Sequence, residues 1–298
     1  MTEGPNPLGD YLRARRRLVT PEQAGVPAVG TRRVPGLRRE EVAMLAGISA
    51  DYYLRLEQGR DRNPSVQVLE SLARVLRLDD DATAYLLRLA AARPRRRPRR
   101  PREETVPAGI AQLVATLPLP AVVEDRYFDI LAANPLATAL SPRLAVGANR
   151  LWDLFLDPAE QALHPDWEET TEGAVAVFRE SVGTDTDDPR FVELVGGLSL
   201  ASPRFSRLWA RHDIKVCEGA PTRLTHPRTG DLRLNREKLD IGGTAGQMLV
   251  VLHPDPGTDS ADKLALLASA ARTPADAVSP GPGPSGGGAR WRAPGGRR

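Results

Sequence analysis

The stretch RREEVAMLAGISADYYLRLEQG, residues 38 to 59, decides the fold of the N-terminal half of the chain. Its two parts carry apolar side chains at helical spacing, namely Val42, Ala43, Leu45 and Ala46 in the first and Tyr53 and Leu56 in the second. Gly47 permits a tight turn between them, Ser49 is a good N-cap for the second helix, and Gly59 ends that helix. The stretch therefore predicts two short helices that cross closely at the small side chain of Ala43.

Three further helices are predicted around this pair, within residues 8 to 92. The first precedes the pair and carries an apolar stripe of Leu8, Tyr11, Leu12 and Leu18. The fourth follows an N-cap at Ser65, and the fifth begins at Asp79 or Asp80. Residues 1–92 are therefore expected to form an all-helical domain.

The charge of the chain is unevenly distributed, although its net value is only +3. Residues 1–107 hold 21 arginines against 14 acidic residues, whereas residues 108–272 hold 16 basic and 23 acidic residues. A basic module joined to an acidic one is typical of a protein in which only the basic module binds nucleic acid. The N-terminal domain is therefore the candidate nucleic-acid binder.

An arginine- and proline-rich run, RPRRRPRRPR from Arg93 to Arg102, lies between the two modules. Its prolines oppose helix and sheet alike, so we interpret residues 93–107 as a stiff linker. Two roles stay open for this linker: a solvated spacer, or a segment that lies along DNA phosphates and adds salt-dependent affinity. Residues 273–298 are rich in Pro, Gly, Ser and Ala, and we expect this tail to be disordered.

The second domain, residues 108–272, shows a mixed pattern of strands and helices. Residues 122–124 and 127–131 predict a short hairpin, and Asn134-Pro135 then opens a helix. An N-cap followed by proline marks three more helix starts, at Asp157-Pro158, Asp188-Pro189 and Ser202-Pro203. Three further strands are predicted at residues 222–226, 232–241 and 247–252, with glycine-containing hairpin loops between them. The expected fold is α+β, with a five-stranded antiparallel sheet covered by helices.

The N-terminal motif resembles the helix-turn-helix of phage-repressor-like (Xre) regulators. The wider sequence, with LGDYLRARRRL, RRVPGLRREEVAMLAGISADYYLRLEQGR and PSVQVLESLARVLRLDDD, is similar to the MmyB-like regulators. The long segment from Val19 to Gly36 departs from the phage pattern but belongs to the MmyB-like one. The resemblance implies a transcription regulator that binds double-stranded DNA. We hypothesise that it binds as a homodimer, with two reading helices about one helical turn of DNA apart.

In such regulators the second helix of the pair lies in the major groove. The resemblance implies that Ala50, Asp51, Tyr52, Leu54 and Arg55 face the bases, and the candidate DNA contacts also include Arg38, Arg39, Ser49, Arg60 and Arg62. Arg55 is the candidate base reader, because a guanidinium can donate two hydrogen bonds to guanine, and its alternative is a solvated surface arginine. Tyr52 either stacks on sugar or a thymine methyl or completes the core. Arg39, Arg60 and Arg62 are expected at phosphates.

Glu57 is expected to be structural rather than DNA-binding. By the same resemblance its carboxylate pairs with an arginine of the first helix, which is Arg16 in this chain. Its substitution is therefore expected to reduce stability rather than specificity.

The second domain extends the resemblance. PAVVEDRYFDILAANPLATAL has the order of a PAS-like sensor, and SPRFSRLWARHDI with LTHPRTGDLRLNREKLDIGGTAGQMLVVLHP is similar to the MmyB-like ligand-binding domain. This implies a PAS-like fold with a cavity for a small apolar, fatty-acid-like ligand. The candidate ligand contacts are Phe155, Phe178, Phe205, Trp209 and His212. Two alternatives stay open: these rings are ordinary core, or the domain serves only dimerisation or protein docking.

The sequence carries no pattern typical of an enzyme, a metal site or a membrane protein. Its four histidines lie far apart, and it has neither a phosphate-binding glycine loop nor a nucleophile elbow. We therefore predict no catalytic residue, no metal site and no cofactor. No apolar run approaches the roughly 20 residues of a membrane span, and the N-terminus has no export signal. These observations favour a cytoplasmic, non-enzymatic protein.

Overall fold

The computed structural model describes residues 6–26, 35–61, 63–91, 105–183, 188–215 and 221–272. Within these ranges the chain forms an all-helical N-terminal domain and an α+β C-terminal domain, which confirms the predicted fold class. Most of the predicted linker, residues 93–104, lies outside the described residues, as do Arg62 and the whole predicted tail, residues 273–298.

Five helices form the N-terminal domain: α1 (Pro7–Leu18), α2 (Arg39–Ala46), α3 (Ala50–Glu57), α4 (Val66–Val75) and α5 (Asp80–Ala90). The predicted N-caps are confirmed, because the side chains of Ser49, Ser65 and Asp79 each accept a backbone N–H three residues further on. Such a bond satisfies one of the donors that a helix start leaves free. The polar residues of the sequence thus fix where α3, α4 and α5 begin.

The junction of α2 and α3 follows the predicted geometry. Ala43 is buried where the two helices meet. Gly47 adopts φ 71° and ψ 30°, the left-handed conformation that a glycine tolerates without strain. The backbone N–H of Ile48 then donates to the carbonyl of Ala43 at 3.0 Å. These contacts determine the angle at which α3 leaves α2.

The carboxylate of Glu57 joins three helices inside this domain. It is fully buried at the end of α3 and accepts hydrogen bonds from Arg16 Nε of α1 at 2.7 Å and Arg39 Nε of α2 at 2.6 Å. The predicted pairing with Arg16 is confirmed. The Glu57 carbonyl also accepts from Asn6 Nδ2 and an Arg13 guanidinium nitrogen, each at 3.0 Å. Both ends of this residue therefore hold α3 against α1.

The C-terminal domain contains five antiparallel strands in the order β2-β1-β5-β4-β3. They are β1 (Ala121–Glu124), β2 (Ile130–Ala133), β3 (Pro221–His226), β4 (Gly230–Asp240) and β5 (Met248–His253). The two ends of the domain sequence thus meet at the centre of the sheet, where β1 pairs with β5. The predicted hairpins β1–β2, β3–β4 and β4–β5 are all present.

The second predicted strand begins later than expected. Residues 127–129 were expected to be extended, but β2 starts at Ile130. The Asp125 carboxylate accepts the backbone N–H groups of Tyr127 at 2.8 Å and Asp129 at 3.0 Å, and Phe128 adopts φ 66°. A side chain that captures nearby backbone donors competes with strand pairing, so the turn is longer.

Helices surround this sheet. They are α6 (Ala108–Thr116), α7 (Pro135–Leu140), α8 (Arg150–Leu156), α9 (Pro158–Leu163), α10 (Trp167–Val182), α11 (Pro189–Ala201), α12 (Pro203–Arg211) and α13 (Asp259–Arg272), with a 3₁₀ turn at Pro142–Leu144. The helix starts predicted at Asp157, Asp188 and Ser202 are confirmed as N-caps with proline at the next position. The first and last helices, α6 and α13, were not predicted.

The two faces of the sheet have different covers. On one face, Val114 of α6 packs with Val123 and Leu249. On the other face lie Val122 and Val250, which pack with Ala137 of α7. This alternation along β1 and β5 is the two-residue period of a strand. Helices α8 and α10 to α12, together with Tyr127 and Phe128, form a separate apolar cluster beyond the second face.

The two domains contact each other through α1 and α5 on one side and α10 and α12 on the other. Arg15 of α1 pairs with Asp213, just after α12, at 2.7 Å. Arg88 of α5 pairs with Glu180 of α10 at 2.9 Å. Ile214 is buried within the apolar cluster of the N-terminal domain. The helical domain is therefore docked on its neighbour by side-chain contacts as well as by covalent connection.

Replacing Glu57 by glutamine should destabilise the N-terminal domain by about 3 kcal/mol at pH 7, because it leaves the Arg16 charge buried without a counter-charge. Burial alone would raise the pKa of Glu57, but the hydrogen bonds and charges of Arg16 and Arg39 outweigh it and lower that pKa. The stabilisation is thus present above the usual value of 4.5 and lost as pH falls through the folded value.

Urea unfolding of the full chain, followed by the helical circular dichroism signal, measures this difference. The control is Glu70→Gln, on an exposed position of α4, which should change the free energy of unfolding by no more than about 0.5 kcal/mol. Equal stability of Glu57→Gln and Glu70→Gln at pH 7 would show that the buried carboxylate does not hold the helices together.

Candidate nucleic-acid interface and ligand cavity

Helix α3 presents its first two turns at the surface. Ala50, Asp51 and Arg55 are exposed, and Tyr52 and Leu54 are half-buried. The opposite side of the helix is buried in the domain core. This is the orientation that a recognition helix needs in order to enter a major groove.

The predicted DNA contacts cluster around this exposed side. Arg38, Arg39, Ser49 and Arg60 are also exposed, at the starts of α2 and α3 and just after α3. Arg62 lies outside the described residues. Tyr52 packs partly against the core and partly faces solvent, so it combines the two roles considered for it.

Arg55 contacts two neighbouring side chains on the surface of α3. Its guanidinium hydrogen-bonds the Asp51 carboxylate one turn earlier, and it lies 5.7 Å from the centre of the Tyr52 ring. An exposed pair at this spacing contributes only about 0.3–0.5 kcal/mol, so Asp51 orients Arg55 without binding it firmly. A guanine edge can therefore replace the carboxylate as the partner of Arg55.

Arg39 makes a structural contact that was not predicted from the sequence. Its Nε donates to the buried Glu57 carboxylate, while 43% of its side chain stays exposed. One edge of the guanidinium is therefore engaged inside the protein and the other faces the surface. Its neighbour Arg38 has an exposed side chain, and its backbone N–H donates to Glu41 at 2.7 Å. The carboxylate of Glu41 thus satisfies a backbone donor at the start of α2.

The C-terminal domain encloses a cavity of about 310 Å³ between the second face of the sheet and α7 to α10. Most of its wall is apolar, from Val122, Phe128, Ala137, Leu140, Leu144, Leu151, Leu154, Leu163, Val177, Leu224, Val250 and Leu252. Helix α10 contributes Thr170, Gly173, Ala174 and Val177. A concave apolar space with a few polar groups is typical of a small-molecule site.

A cluster of cations lies beside one part of this wall. Glu124 is fully buried and accepts hydrogen bonds from Arg150 Nε at 2.8 Å and Lys238 Nζ at 2.6 Å. Burial would raise the pKa of Glu124, but these cations together with Arg236 lower it to about 2. Arg150 and Arg236 both line the cavity. Arg150 and Arg236 thus give this part of the wall two cations, while the lining also includes the carboxylates of Glu160, Asp166 and Glu169.

A second polar group lies at another part of the wall. Ser141 Oγ donates to Glu160 at 2.6 Å, and His164 Nε2 lies 3.4 Å from the other oxygen of that carboxylate. Burial would raise the pKa of Glu160, but the hydrogen bonds from His164 and Ser141 lower it. The serine proton is directed at the carboxylate rather than at the imidazole. The arrangement is therefore a hydrogen-bonded support of the wall and not that of a serine activated by histidine.

The five ligand contacts expected from the sequence do not line this cavity. Phe155, Phe178, Phe205 and Trp209 pack on one another: Phe155 and Phe205 are 5.3 Å apart, and Phe205 stacks on Trp209 at 5.8 Å between ring centres. His212 lies at the contact between the domains, 6.3 Å from the Tyr11 ring. The structure thus places these rings in a packed cluster, and the cavity lies on another side of α10.

A pattern of small side chains in the sequence indicates the cavity wall, although the sequence-based prediction relied on aromatic rings. Three residues, Gly173, Ala174 and Val177, follow Thr170 by three, four and seven positions, which places all four on one side of α10. Small side chains on the inward side of a helix leave space between that helix and the sheet.

Among the described residues, no cluster of three or more His, Cys, Asp or Glu side chains is placed to hold a metal ion. No helix in the described ranges combines the length and apolar character that crossing a membrane requires.

Two family models match the chain in the order of its domains. Residues 7–86 match a helix-turn-helix domain, and residues 106–267 match the MmyB-like transcription regulator ligand binding domain. No curated protein matches the sequence. The second match covers more than half of the chain, and both domains are those of a transcription regulator that binds DNA and carries a ligand-binding domain. The chain therefore belongs to the MmyB-like transcription regulators.

Proposed function

We propose that this protein is a sequence-specific, double-stranded DNA-binding regulator whose C-terminal domain senses a small, fatty-acid-like ligand. The observation that carries the DNA-binding part is the exposed side of α3, which bears Asp51 and Arg55 while Glu57 anchors the other side. A reading helix must be rigid and accessible at once, and this helix is both. Because its partner is the chromosome, we place the protein in the cytoplasm.

Arg55 reads guanine in this proposal, and Asp51 accepts from the neighbouring cytosine amino group once Arg55 has turned to the base. Arg38, Arg60 and Arg62, with the free edge of Arg39, hold phosphates. Ser49 and Ala50 lie at the helix start close to the backbone, and Leu54 faces the groove wall. The protein acts as a homodimer, so two copies of α3 enter successive major grooves of a roughly palindromic site.

The ligand occupies the 310 Å³ cavity, which is at the lower end of the roughly 300–1,000 Å³ range of small-molecule sites. Its apolar chain lies against the leucine-rich wall. Its anionic head lies toward Arg150 and Arg236, two of the cations that line the cavity. The packed rings of Phe155, Phe178, Phe205 and Trp209 support α10 from its other side, so they shape the site without touching the ligand.

Alanine at Arg55 should weaken binding to the preferred site by about 5- to 150-fold while leaving binding to random DNA nearly unchanged, since a bidentate base contact discriminates by about 1–3 kcal/mol. The preferred site is first selected from a random duplex pool with the wild-type protein. Affinity for the selected and a scrambled duplex is then measured by fluorescence anisotropy at several salt concentrations.

Arg38→Ala provides the contrast, because loss of a phosphate contact weakens both duplexes alike and reduces the salt slope by about one. Arg207→Ala, an exposed arginine of α12, is the matched control and should change neither affinity. Equal losses on both duplexes for Arg55→Ala would remove Arg55 from the reading role.

Filling the cavity should abolish ligand binding. Gly173 of α10 has open space where a Cβ would lie, so Gly173→Met is tolerated locally and its side chain projects into the site. Gly196→Met on the exposed side of α11 is the matched control, because it adds the same side chain at a helical glycine with equally open surroundings.

Full-length protein is extracted with organic solvent for mass spectrometry, and melting is followed with saturated fatty acids of eight to sixteen carbons. We expect a lipid or a melting shift for the wild type and for Gly196→Met, and neither for Gly173→Met. If no wild-type preparation holds a lipid or responds to any acid, the competing function is favoured, in which the domain serves only dimerisation or protein docking. In that case Leu200 on α11, which is 91% exposed, is the candidate contact with a partner protein or a second copy of the chain.

A further inference from the structure

A short segment after α12, residues 212–215, belongs to both domains at once, and we name it the bridging segment. The His212 ring lies edge-on to Tyr11 of α1. The Asp213 carboxylate accepts a hydrogen bond from Arg15, also on α1. Ile214, only 7% exposed, packs within the core cluster of the helical domain. Three consecutive side chains of the C-terminal domain therefore contact the DNA-binding domain.

The fourth residue of the bridging segment faces the other way. Lys215 lines the ligand cavity, and its backbone N–H donates to the carbonyl of Ala176 on α10 at 3.4 Å. The cavity wall and the contact between the domains are thus adjacent residues of one extended stretch. A shift of Lys215 cannot leave Ile214 and Asp213 in place, because neighbouring Cα atoms are fixed about 3.8 Å apart.

Helix α10 also contacts both the ligand cavity and the DNA-binding domain. Gly173 and Val177 face the cavity, whereas Arg179 and Glu180, near the end of the helix, face the DNA-binding domain. Glu180 pairs with Arg88 of α5. A helix is rigid over this distance, so any change in how its cavity side packs also moves the side that touches the other domain.

The Arg179 guanidinium is buried at the contact between the domains. It donates to the Trp209 carbonyl, lies 3.2 Å from His212 Nδ1, and lies 3.7 Å from the Trp209 ring centre. Burial lowers the pKa of Arg179 to about 10, although Tyr85 of α5 and Asp213 act in the opposite direction. The cost of burying this cation is therefore only partly offset, and that cost opposes docking.

We propose that the bridging segment and α10 couple the ligand cavity to the DNA-binding domain: an occupant of the cavity stabilises the docked arrangement and so fixes α1, and through it α3. The inference rests on the proposed ligand-binding function but assigns the coupling to direct contacts rather than to the Arg/Pro linker.

The direction follows from which groups line the cavity. Gly173, Ala174 and Val177 of α10 and Lys215 of the bridging segment line it together, so an occupant makes contacts with both elements at once. An occupant supplies those contacts only when α10 and Lys215 hold their docked positions. It therefore favours the docked state, and by linkage docking must raise the affinity for the occupant by the same factor.

This reciprocity gives a sharp test, with dodecanoate as the probe and the full-length protein. Arg15 belongs to the DNA-binding domain and does not line the cavity, yet Arg15→Gln should weaken dodecanoate binding at least about fivefold, measured by isothermal titration. Ile214→Ala should do the same from the other side of the contact. Arg207→Gln, an exposed arginine of α12, is the matched control and should bind dodecanoate as the wild type does.

Dodecanoate affinities within twofold of wild type for both Arg15→Gln and Ile214→Ala would overturn the coupling while leaving the proposed ligand binding intact. If Ile214→Ala proves unstable, Arg15→Gln alone tests the coupling, because it removes only a partly exposed ion pair.

A second measurement does not need a ligand, so it separates failure of the coupling from failure of the proposed function. Gly173→Met fills the cavity permanently and should slow amide hydrogen exchange at least about threefold in α1 and in residues 212–215, relative to the wild type in lipid-free buffer. Gly196→Met should leave both regions unchanged. Unchanged exchange in α1 of Gly173→Met would overturn the proposal even if dodecanoate binds the wild type.

Discussion

The buried Glu57 carboxylate is the interaction on which the DNA-binding domain depends. A charge with no exposed surface is costly unless hydrogen bonds satisfy it, and Arg16 and Arg39 supply them from two different helices. Neither arginine can leave without uncovering the charge. The position of α3 relative to α1 and α2 is therefore fixed by directional, charged hydrogen bonds. The apolar core adds contacts that tolerate small shifts.

Helix α1 extends that constraint to the second domain. Arg13 and Arg16 face α3, whereas Tyr11 and Arg15 face the bridging segment. One rigid helix of twelve residues therefore contacts the reading helix on one side and the C-terminal domain on another.

The sequence predicted the parts of this architecture that depend on local chemistry. Ser49, Ser65 and Asp79 cap helices because their side chains accept nearby N–H groups, and that preference is readable without a fold. Residues 127–129 were mispredicted as a strand for a related reason: Asp125 captures two backbone donors, and β propensity alone does not register that competition.

Contacts between distant parts of the sequence were harder to predict. The second bond of Glu57, to Arg39, joins residues 18 apart, and the Arg15–Asp213 pair joins residues 198 apart. The sequence contains many acidic residues that could pair with each arginine, and only the packing of the helices determines which one does. The family resemblance supplied the Arg16 partner but gave no information about the contact between the domains.

The location of the cavity shows why large side chains are a poor guide to a ligand site. Phe178 and Val177 are neighbours on α10, yet the ring packs into the aromatic cluster and the smaller side chain borders the cavity. Rings attract one another and fill volume wherever they meet, so a group of aromatic residues on packed helices closes space. Space persists where a helix turns small residues toward a sheet, as Gly173 and Ala174 do. The same helix can then hold its shape on the aromatic side and respond to an occupant on the other, which is the combination that a sensor requires.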